Sequence, residues 1–152
     1  MISSLDDELG DLVDTDHLAV AGHSSGAIVA FGLGFDPCCE DDRVDAVLVE
    51  GIIPFPLDGD SAPDPNGTPV LFVYGDADRT PIADAHALFE QAAPPKYFLT
   101  IPGGDHSEIY RAGEPAPLIA NAALAFFDLY LRDRSDALAT LQGVAGMEAV
   151  PE

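Results

Sequence analysis

One serine in this chain lies between glycines, in the segment AVAGHSSGAIVA at residues 19–30. Residues 22–26, GHSSG, fit the pattern G-x-S-x-G between a predicted strand and a predicted helix. A sharp strand-to-helix turn of this kind holds the serine side chain clear of the sheet, at a helix N-terminus whose N–H groups can face an oxyanion. Small residues on both sides are expected because the strand and the helix approach closely. A glycine-rich turn with an incidental serine is the alternative, and the pattern alone leaves both open.

A nucleophilic serine needs a base, and the base needs an acid to orient it. Two later segments offer such groups directly after predicted strands. YGDADRTP at 74–81 contains Asp76 and Asp78, and IPGGDHSE at 101–108 contains His106. Because ligand sites form at the carboxyl ends of parallel strands, we expect Ser24, one of these carboxylates and His106 to meet there. The expected chemistry is attack of Ser24 on a carbonyl carbon.

The segments DHLAVAGHSSGA, PVLFVYGDADRTP and IPGGDH resemble the carboxyl-terminal half of an α/β-hydrolase. The resemblance is to the group of dienelactone hydrolases, cutinase-like polyesterases and platelet-activating-factor acetylhydrolases, and it covers nearly the whole chain. It implies Ser24 as the nucleophile, His106 as the base and the N–H of Ser25 as one oxyanion donor. The family's acid is the fourth residue of a strand-end G-x-x-D before a proline-started helix, which corresponds to Asp78.

Other residues compete for these roles. Asp76 is two residues from Asp78 and is expected to orient the turn, although it remains an alternative acid. Glu50 ends the second predicted strand, where some α/β-hydrolases carry their acid instead. His23, inside the elbow, is expected to pack against the core.

The resemblance implies a serine esterase or lipase-type hydrolase that cleaves carboxylic esters through an acyl-enzyme intermediate, with no cofactor. Whether the ester is a small molecule or a polymer stays open. Ile52, Ile53, Phe55 and Tyr110 are candidates to line an acyl or alcohol pocket, and a buried loop anchor is the alternative for the segment IIPFP. No set of His, Cys and carboxylate residues has metal-ligand spacing, so no metal is predicted.

The alternative function is a catalytically impaired fragment that acts as a binding or dimerisation module. Members of the resembled family carry further strands, a helix and the second oxyanion donor ahead of the elbow. A chain without them would leave its first strand with a bare apolar edge, and such edges seek partners. We therefore expect a homo-oligomer, or pairing with a chain that supplies the missing amino-terminal half.

The elements that must position these groups alternate between strand and helix. This alternation predicts an α/β fold with a parallel sheet of about four strands and helices on both faces. The resemblance implies one truncated or minimal α/β-hydrolase-like domain spanning residues 1–152. The predicted strands are 17–22, 44–52, 69–75 and 96–103, and the predicted helices are 2–12, 25–33, 81–93 and 115–132. A weakly structured tail is expected at 133–152.

The charge is strongly unbalanced, with 6 Lys and Arg against 27 Asp and Glu and a net charge of −21. Such a surface repels nucleic acid and anionic membranes, so neither is an expected partner. Adaptation to high salt and an acidic surface without functional meaning both explain the charge.

Two adjacent cysteines, Cys38 and Cys39, are predicted to be reduced thiols, because neighbours rarely meet the geometry of a disulfide. No apolar run approaches the length of a membrane span, which is about 20 residues. No signal peptide is visible in MISSLDDELG, so the expected location is cytoplasmic if the chain is complete.

Overall fold

The computed structural model describes residues 14–53, 66–107 and 115–151. Within them, the four predicted strands and the last three predicted helices occur in the predicted order. The elements are β1 (Leu18–His23), α1 (Ser25–Phe35), β2 (Val44–Glu50), β3 (Val70–Gly75), α2 (Ile82–Gln91), β4 (Lys96–Ile101), α3 (Pro115–Leu131), α4 (Ala137–Gln142) and β5 (Met147–Val150). The predicted helix at 2–12 and most of the Pro- and Asp-rich loop at 54–67 lie outside the described residues.

The strands form one five-stranded sheet in the order β1-β2-β3-β4-β5. Strands β1 to β4 are parallel, and β5 pairs antiparallel with β4. The predicted α/β class is confirmed. The predicted parallel sheet of about four strands is corrected to a mixed sheet of five.

The hydrophobic core lies on both faces of the sheet. Because successive side chains of a strand point to opposite faces, Phe72 and Phe98 pack on the face covered by α1 and α2. Their neighbours Leu71 and Tyr97 pack on the other face, which α3 and α4 cover. Helices therefore lie on both faces, as the sequence predicts.

The tail differs from the weakly structured segment expected at 133–152. Helix α4 buries Leu141 completely, and β5 pairs its four residues with β4. Gly146, with a φ of 83°, makes this approach close, because a Cβ there would lie 2.6 Å from the carbonyl oxygen of Thr100. Tertiary contacts therefore order segments that are too short to show a clear period of their own.

The adjacent cysteines form a disulfide bond in the turn that follows α1. The prediction of reduced thiols is wrong for this structure. It depended on the separated, correctly aimed Cβ atoms that disulfides usually need, whereas Cys38 and Cys39 are bonded as sequence neighbours with their Cα atoms 3.8 Å apart. The turn is held by Asp36, whose carboxylate accepts from the N–H of Cys38 and whose carbonyl accepts from that of Cys39.

Candidate active site

Ser24 occupies the turn between β1 and α1 in a conformation that non-glycine residues rarely adopt. Its φ is 54° and its ψ is −119°, and such backbone strain costs about 1–3 kcal/mol. Hydrogen bonds hold the turn on both sides. The Ser24 N–H donates to the carbonyl oxygen of Glu50 at 2.9 Å, and its own carbonyl accepts from the N–H of Ala27 at 3.0 Å. The surrounding structure thus fixes the strained serine.

The two glycines of GHSSG differ in what packing requires of them. A Cβ on Gly22 would lie 2.1 Å from the carbonyl oxygen of Gly26, so strand and helix can approach only if residue 22 is glycine. A Cβ on Gly26 would meet no atom within 4 Å among the described residues. The expectation of close packing on both sides of the serine is therefore met at Gly22 and corrected at Gly26.

Asp78 is held in the loop that follows β3. Its side chain is 2% exposed, and one carboxylate oxygen accepts from the N–H of Thr80 at 2.9 Å. The carbonyl of Thr80 accepts from the hydroxyl of Tyr74 at 3.1 Å, which fixes the loop from the strand side. Burial, reinforced by the nearby charge of Asp78, raises the pKa of Tyr74, so this hydroxyl keeps its proton and remains a donor.

His106 reaches the site from a turn that crosses over the ends of neighbouring strands. Strands β1 and β4 are separated by β2 and β3, which places them about 14 Å apart at about 4.8 Å per strand. The turn at 102–106 therefore passes above the end of β3. Gly75 permits this crossing, because a Cβ there would lie 2.1 Å from the carbonyl oxygen of Gly104.

The three predicted residues form a continuous chain of hydrogen bonds. The Nε2 atom of His106 lies 3.0 Å from the Oγ atom of Ser24, and its Nδ1 atom lies 2.7 Å from Oδ2 of Asp78. A carboxylate accepts hydrogen bonds, so Nδ1 carries the proton and Nε2 is free to accept the proton of Ser24. This arrangement can activate a serine hydroxyl for attack on a carbonyl group.

The alternative acids lie elsewhere in the hydrogen-bond network. Asp76 is exposed, and its carboxylate accepts from the N–H of Gly103 at 2.6 Å, which ties the loop after β3 to the turn after β4. Glu50 contributes its backbone carbonyl to the elbow. The ring nitrogens of His106 bond to Ser24 and Asp78, not to Asp76 or Glu50.

Ser25 is the first residue of α1. The first N–H groups of a helix have no carbonyl one turn earlier to which they can donate, so the N–H of Ser25 is suited to bind an oxyanion beside Ser24.

Two of the four predicted pocket residues fall within the described chain. Ile52 is 1% exposed and belongs to the core, which is the position of a loop anchor, whereas Ile53 is 37% exposed. Phe55 and Tyr110 lie outside the described residues.

One group of potential metal ligands, Asp36, Cys38 and Cys39, occurs within the described ranges, with ligand atoms no more than 4.8 Å apart. Its two sulfur atoms are bonded to each other, so they are not thiolate ligands in this state.

Sequence reasoning missed two residues that contact His106. The Nε2 atom of His23 lies 2.7 Å from the carbonyl oxygen of His106. Gly51 directly follows β2 and has a φ of 54°. A Cβ at this position would lie within 3.4 Å of both imidazole rings. A glycine near the end of the predicted strand at 44–52 was the only signal available in the sequence for Gly51.

No model of a known protein family matches the chain, and no curated protein matches it. Across the residues that the structure describes, none of the helices has the length and apolar character needed to cross a membrane.

Proposed function

We propose that this chain is a serine hydrolase that cleaves carboxylic esters through an acyl-enzyme intermediate, and that its fold is related to the carboxyl-terminal half of an α/β-hydrolase. The observation that carries the proposal is the hydrogen-bonded series Ser24–His106–Asp78, assembled from loops after β1, β4 and β3. The strained backbone of Ser24 adds support, because strain of this kind clusters at functional sites.

In the proposed acylation, Nε2 of His106 takes the hydroxyl proton of Ser24 as Oγ bonds to the ester carbonyl carbon. The carbonyl oxygen becomes an oxyanion that the N–H of Ser25 stabilises, and Asp78 stabilises the imidazolium. When the tetrahedral intermediate collapses, the bond to the alkoxy oxygen breaks. His106 gives its proton to that oxygen, and the alcohol leaves.

In the proposed deacylation, a water molecule gives one proton to Nε2 of His106 and attacks the acyl carbon. Collapse of the second intermediate breaks the bond to Oγ, which takes the proton back from His106. The carboxylic acid leaves and the site returns to its first state. The protein groups in these steps are the side chains of Ser24, His106 and Asp78 and the N–H of Ser25, and the other reactants are the ester and water.

The net charge of −21 favours neutral or cationic esters over anionic ones, because an acidic surface repels anionic substrates during encounter.

Hydrolysis of a short-chain nitrophenyl ester tests the proposal, with the matched pair Ser24→Ala and Ser25→Ala. We expect Ser24→Ala to abolish turnover. Ser25→Ala should retain most of it, because Ser25 acts through a backbone N–H that alanine also carries. A fluorophosphonate should label the wild type and Ser25→Ala, but not Ser24→Ala. Equal turnover by wild type and Ser24→Ala would remove Ser24 from the mechanism.

A second candidate, an association module, is favoured by the edge of the sheet at β1. Leu124 on α3 is 63% exposed and lines a groove with Leu18 and Ala19 of this edge. This groove of about 460 Å³ follows the edge, lined by apolar residues that include Leu18, Leu124 and Phe127. We propose that two copies of the chain associate here, since β1 is an edge strand of the described sheet and edge strands beside apolar grooves favour partners.

Light scattering in about 0.5 M salt tests this association, because screening weakens repulsion between acidic copies. We expect a dimer or larger oligomer for the wild type and a smaller species for Leu124→Asp. A wild-type monomer at tens of micromolar would count against the association module. It would leave the proposed hydrolase unaffected.

A further inference from the structure

His23 makes two contacts with His106, although the two residues belong to distant parts of the sheet. Its Nε2 atom lies 2.7 Å from the carbonyl oxygen of His106. The two imidazole rings also lie against each other, with their centroids 4.7 Å apart and an angle of 46° between their planes. Because a carbonyl oxygen can only accept, Nε2 of His23 carries the proton in this hydrogen bond.

This hydrogen bond joins two segments that have to stay in register for proton transfer. His23 directly precedes Ser24 at the end of β1, and His106 lies past the end of β4. The bond holds the backbone of the base residue, while the bonds to Asp78 and Ser24 hold its ring. His23 therefore limits how far the turn at 102–106 can move away from the elbow.

Gly51 lies close to the imidazole rings of His23 and His106. A Cβ at this position would lie 3.2 Å from Nδ1 of His106 and 3.4 Å from Cδ2 of His23. The absence of a side chain at Gly51 therefore leaves room for both imidazole rings.

We propose that His23 is a positioning residue that holds His106 within hydrogen-bond distance of Ser24 by donating Nε2–H to the His106 carbonyl. This inference deepens the proposed esterase function and rests on it. His23 is not itself a proton carrier in the reaction, because its Nε2–H is committed to the backbone. Its loss acts on the geometry of the base, so kcat should change more than KM.

Two variants separate the hydrogen bond from simple packing. His23→Phe keeps an aromatic ring beside His106 but has no donor. His23→Gln loses the ring but carries its amide nitrogen the same number of bonds from Cβ as Nε2 of histidine. We expect His23→Phe to lower kcat for a nitrophenyl ester about tenfold, with KM within about twofold, which is the scale expected for one positioning hydrogen bond. His23→Gln should stay within about threefold of the wild type.

A second readout does not depend on turnover. The proton on Nδ1 of His106, bonded to Asp78, should give a low-field proton NMR signal in the wild type. It should persist in His23→Gln and broaden or disappear in His23→Phe. Melting temperatures identify a variant that fails to fold. If His23→Phe does not fold, His23→Leu takes its place with the same expected losses.

The outcomes separate this inference from the proposed function. Full activity in His23→Phe, or equal losses in the Phe and Gln variants, would overturn the positioning role and leave the esterase proposal in place. If the wild type hydrolyses no ester, the esterase proposal is refuted. If the NMR signal is nevertheless lost in His23→Phe and retained in His23→Gln, the positioning role of His23 is supported.

Discussion

Replacing Asp78 and Asp76 separately by asparagine distinguishes the acid of the site from its nearest rival. The two side chains are two positions apart, and each carboxylate accepts a hydrogen bond from a turn residue. Asp78 also accepts from Nδ1 of His106 at 2.7 Å and is 2% exposed. Asp76 is exposed and bonds to the N–H of Gly103.

The expected magnitudes follow from these contacts. In Asp78→Asn, the amide oxygen can keep the bond to Thr80, which turns the amide NH₂ toward His106. A donor facing Nδ1 favours the tautomer with the proton on Nε2, and that tautomer cannot accept the proton of Ser24. A wrong tautomer of this kind lowers kcat by about 10⁴-fold in serine proteases, and we expect a loss of about 10³- to 10⁴-fold here. In Asp76→Asn, the amide oxygen can still accept from Gly103, so we expect less than a threefold change.

The assay is turnover of a short-chain nitrophenyl ester, with melting temperatures measured in parallel. Both variants should melt within a few degrees of the wild type because asparagine is nearly isosteric with aspartate. A large loss in Asp76→Asn alone would assign the acid to Asp76. Equal, small effects of both substitutions would show that the carboxylate at 78 does not orient His106.

Four further predictions concern strain, clearance and charge. Ser24→Gly should abolish turnover because the nucleophile is lost. It should also raise the free energy of unfolding, measured in urea, by about 1 kcal/mol, because glycine adopts a φ of 54° without strain. Unchanged or lower stability would contradict the strain argument. Gly51→Ala should destabilise the fold by about 1–2 kcal/mol through its φ of 54°, and should lower ester turnover by displacing His106; unchanged turnover would show that the clearance is dispensable. Burial raises the pKa of both Tyr97 and Tyr130, whose hydroxyl oxygens lie 2.8 Å apart. The stability that depends on these neutral phenols is fully present below their ordinary pKa of about 10 and is lost above it; urea unfolding against pH should show this decline, and it should be smaller in Tyr130→Phe. With a net charge of −21, the melting temperature should rise between about 0.1 M and 1 M potassium chloride, as the Debye length falls from about 10 Å to about 3 Å; sucrose is the control for solute exclusion, and a flat or falling melting temperature would argue against dominant repulsion.

Much of the fold follows from patterns that are local in the sequence. The apolar segments that became β1 to β4 are short and continuous, as expected for strands covered on both faces. The elbow follows from a strand, a G-x-S-x-G pattern and a helix in succession. Asp78 and His106 could be placed together at the carboxyl ends of the strands because each lies shortly after a predicted strand. These features can therefore be predicted from residues that are close together in the sequence.

Other features depend on contacts between distant segments. The four residues of β5 form a strand because β4 offers a free edge and Gly146 lets them approach. The disulfide of Cys38 and Cys39 depends on a turn that Asp36 shapes. His23 was expected to pack against the core, and its bond to the His106 carbonyl spans 83 positions of sequence. No local period or motif encodes such a pairing.

The site also shows why the correct order of three residues in the sequence is not sufficient to bring their side chains together. Strand β4, which precedes His106, lies about three strand spacings from β1, about 14 Å, yet Nε2 of His106 lies 3.0 Å from Oγ of Ser24. Any side chain at the end of β3 would meet the backbone of Gly104, and any side chain directly after β2 would meet the two imidazole rings. Gly75 is therefore needed for the crossing of the turn that carries His106, and Gly51 leaves room for its imidazole ring. A sequence with the same serine, aspartate and histidine but larger residues at these two positions should fold the sheet and leave the base out of reach of the serine.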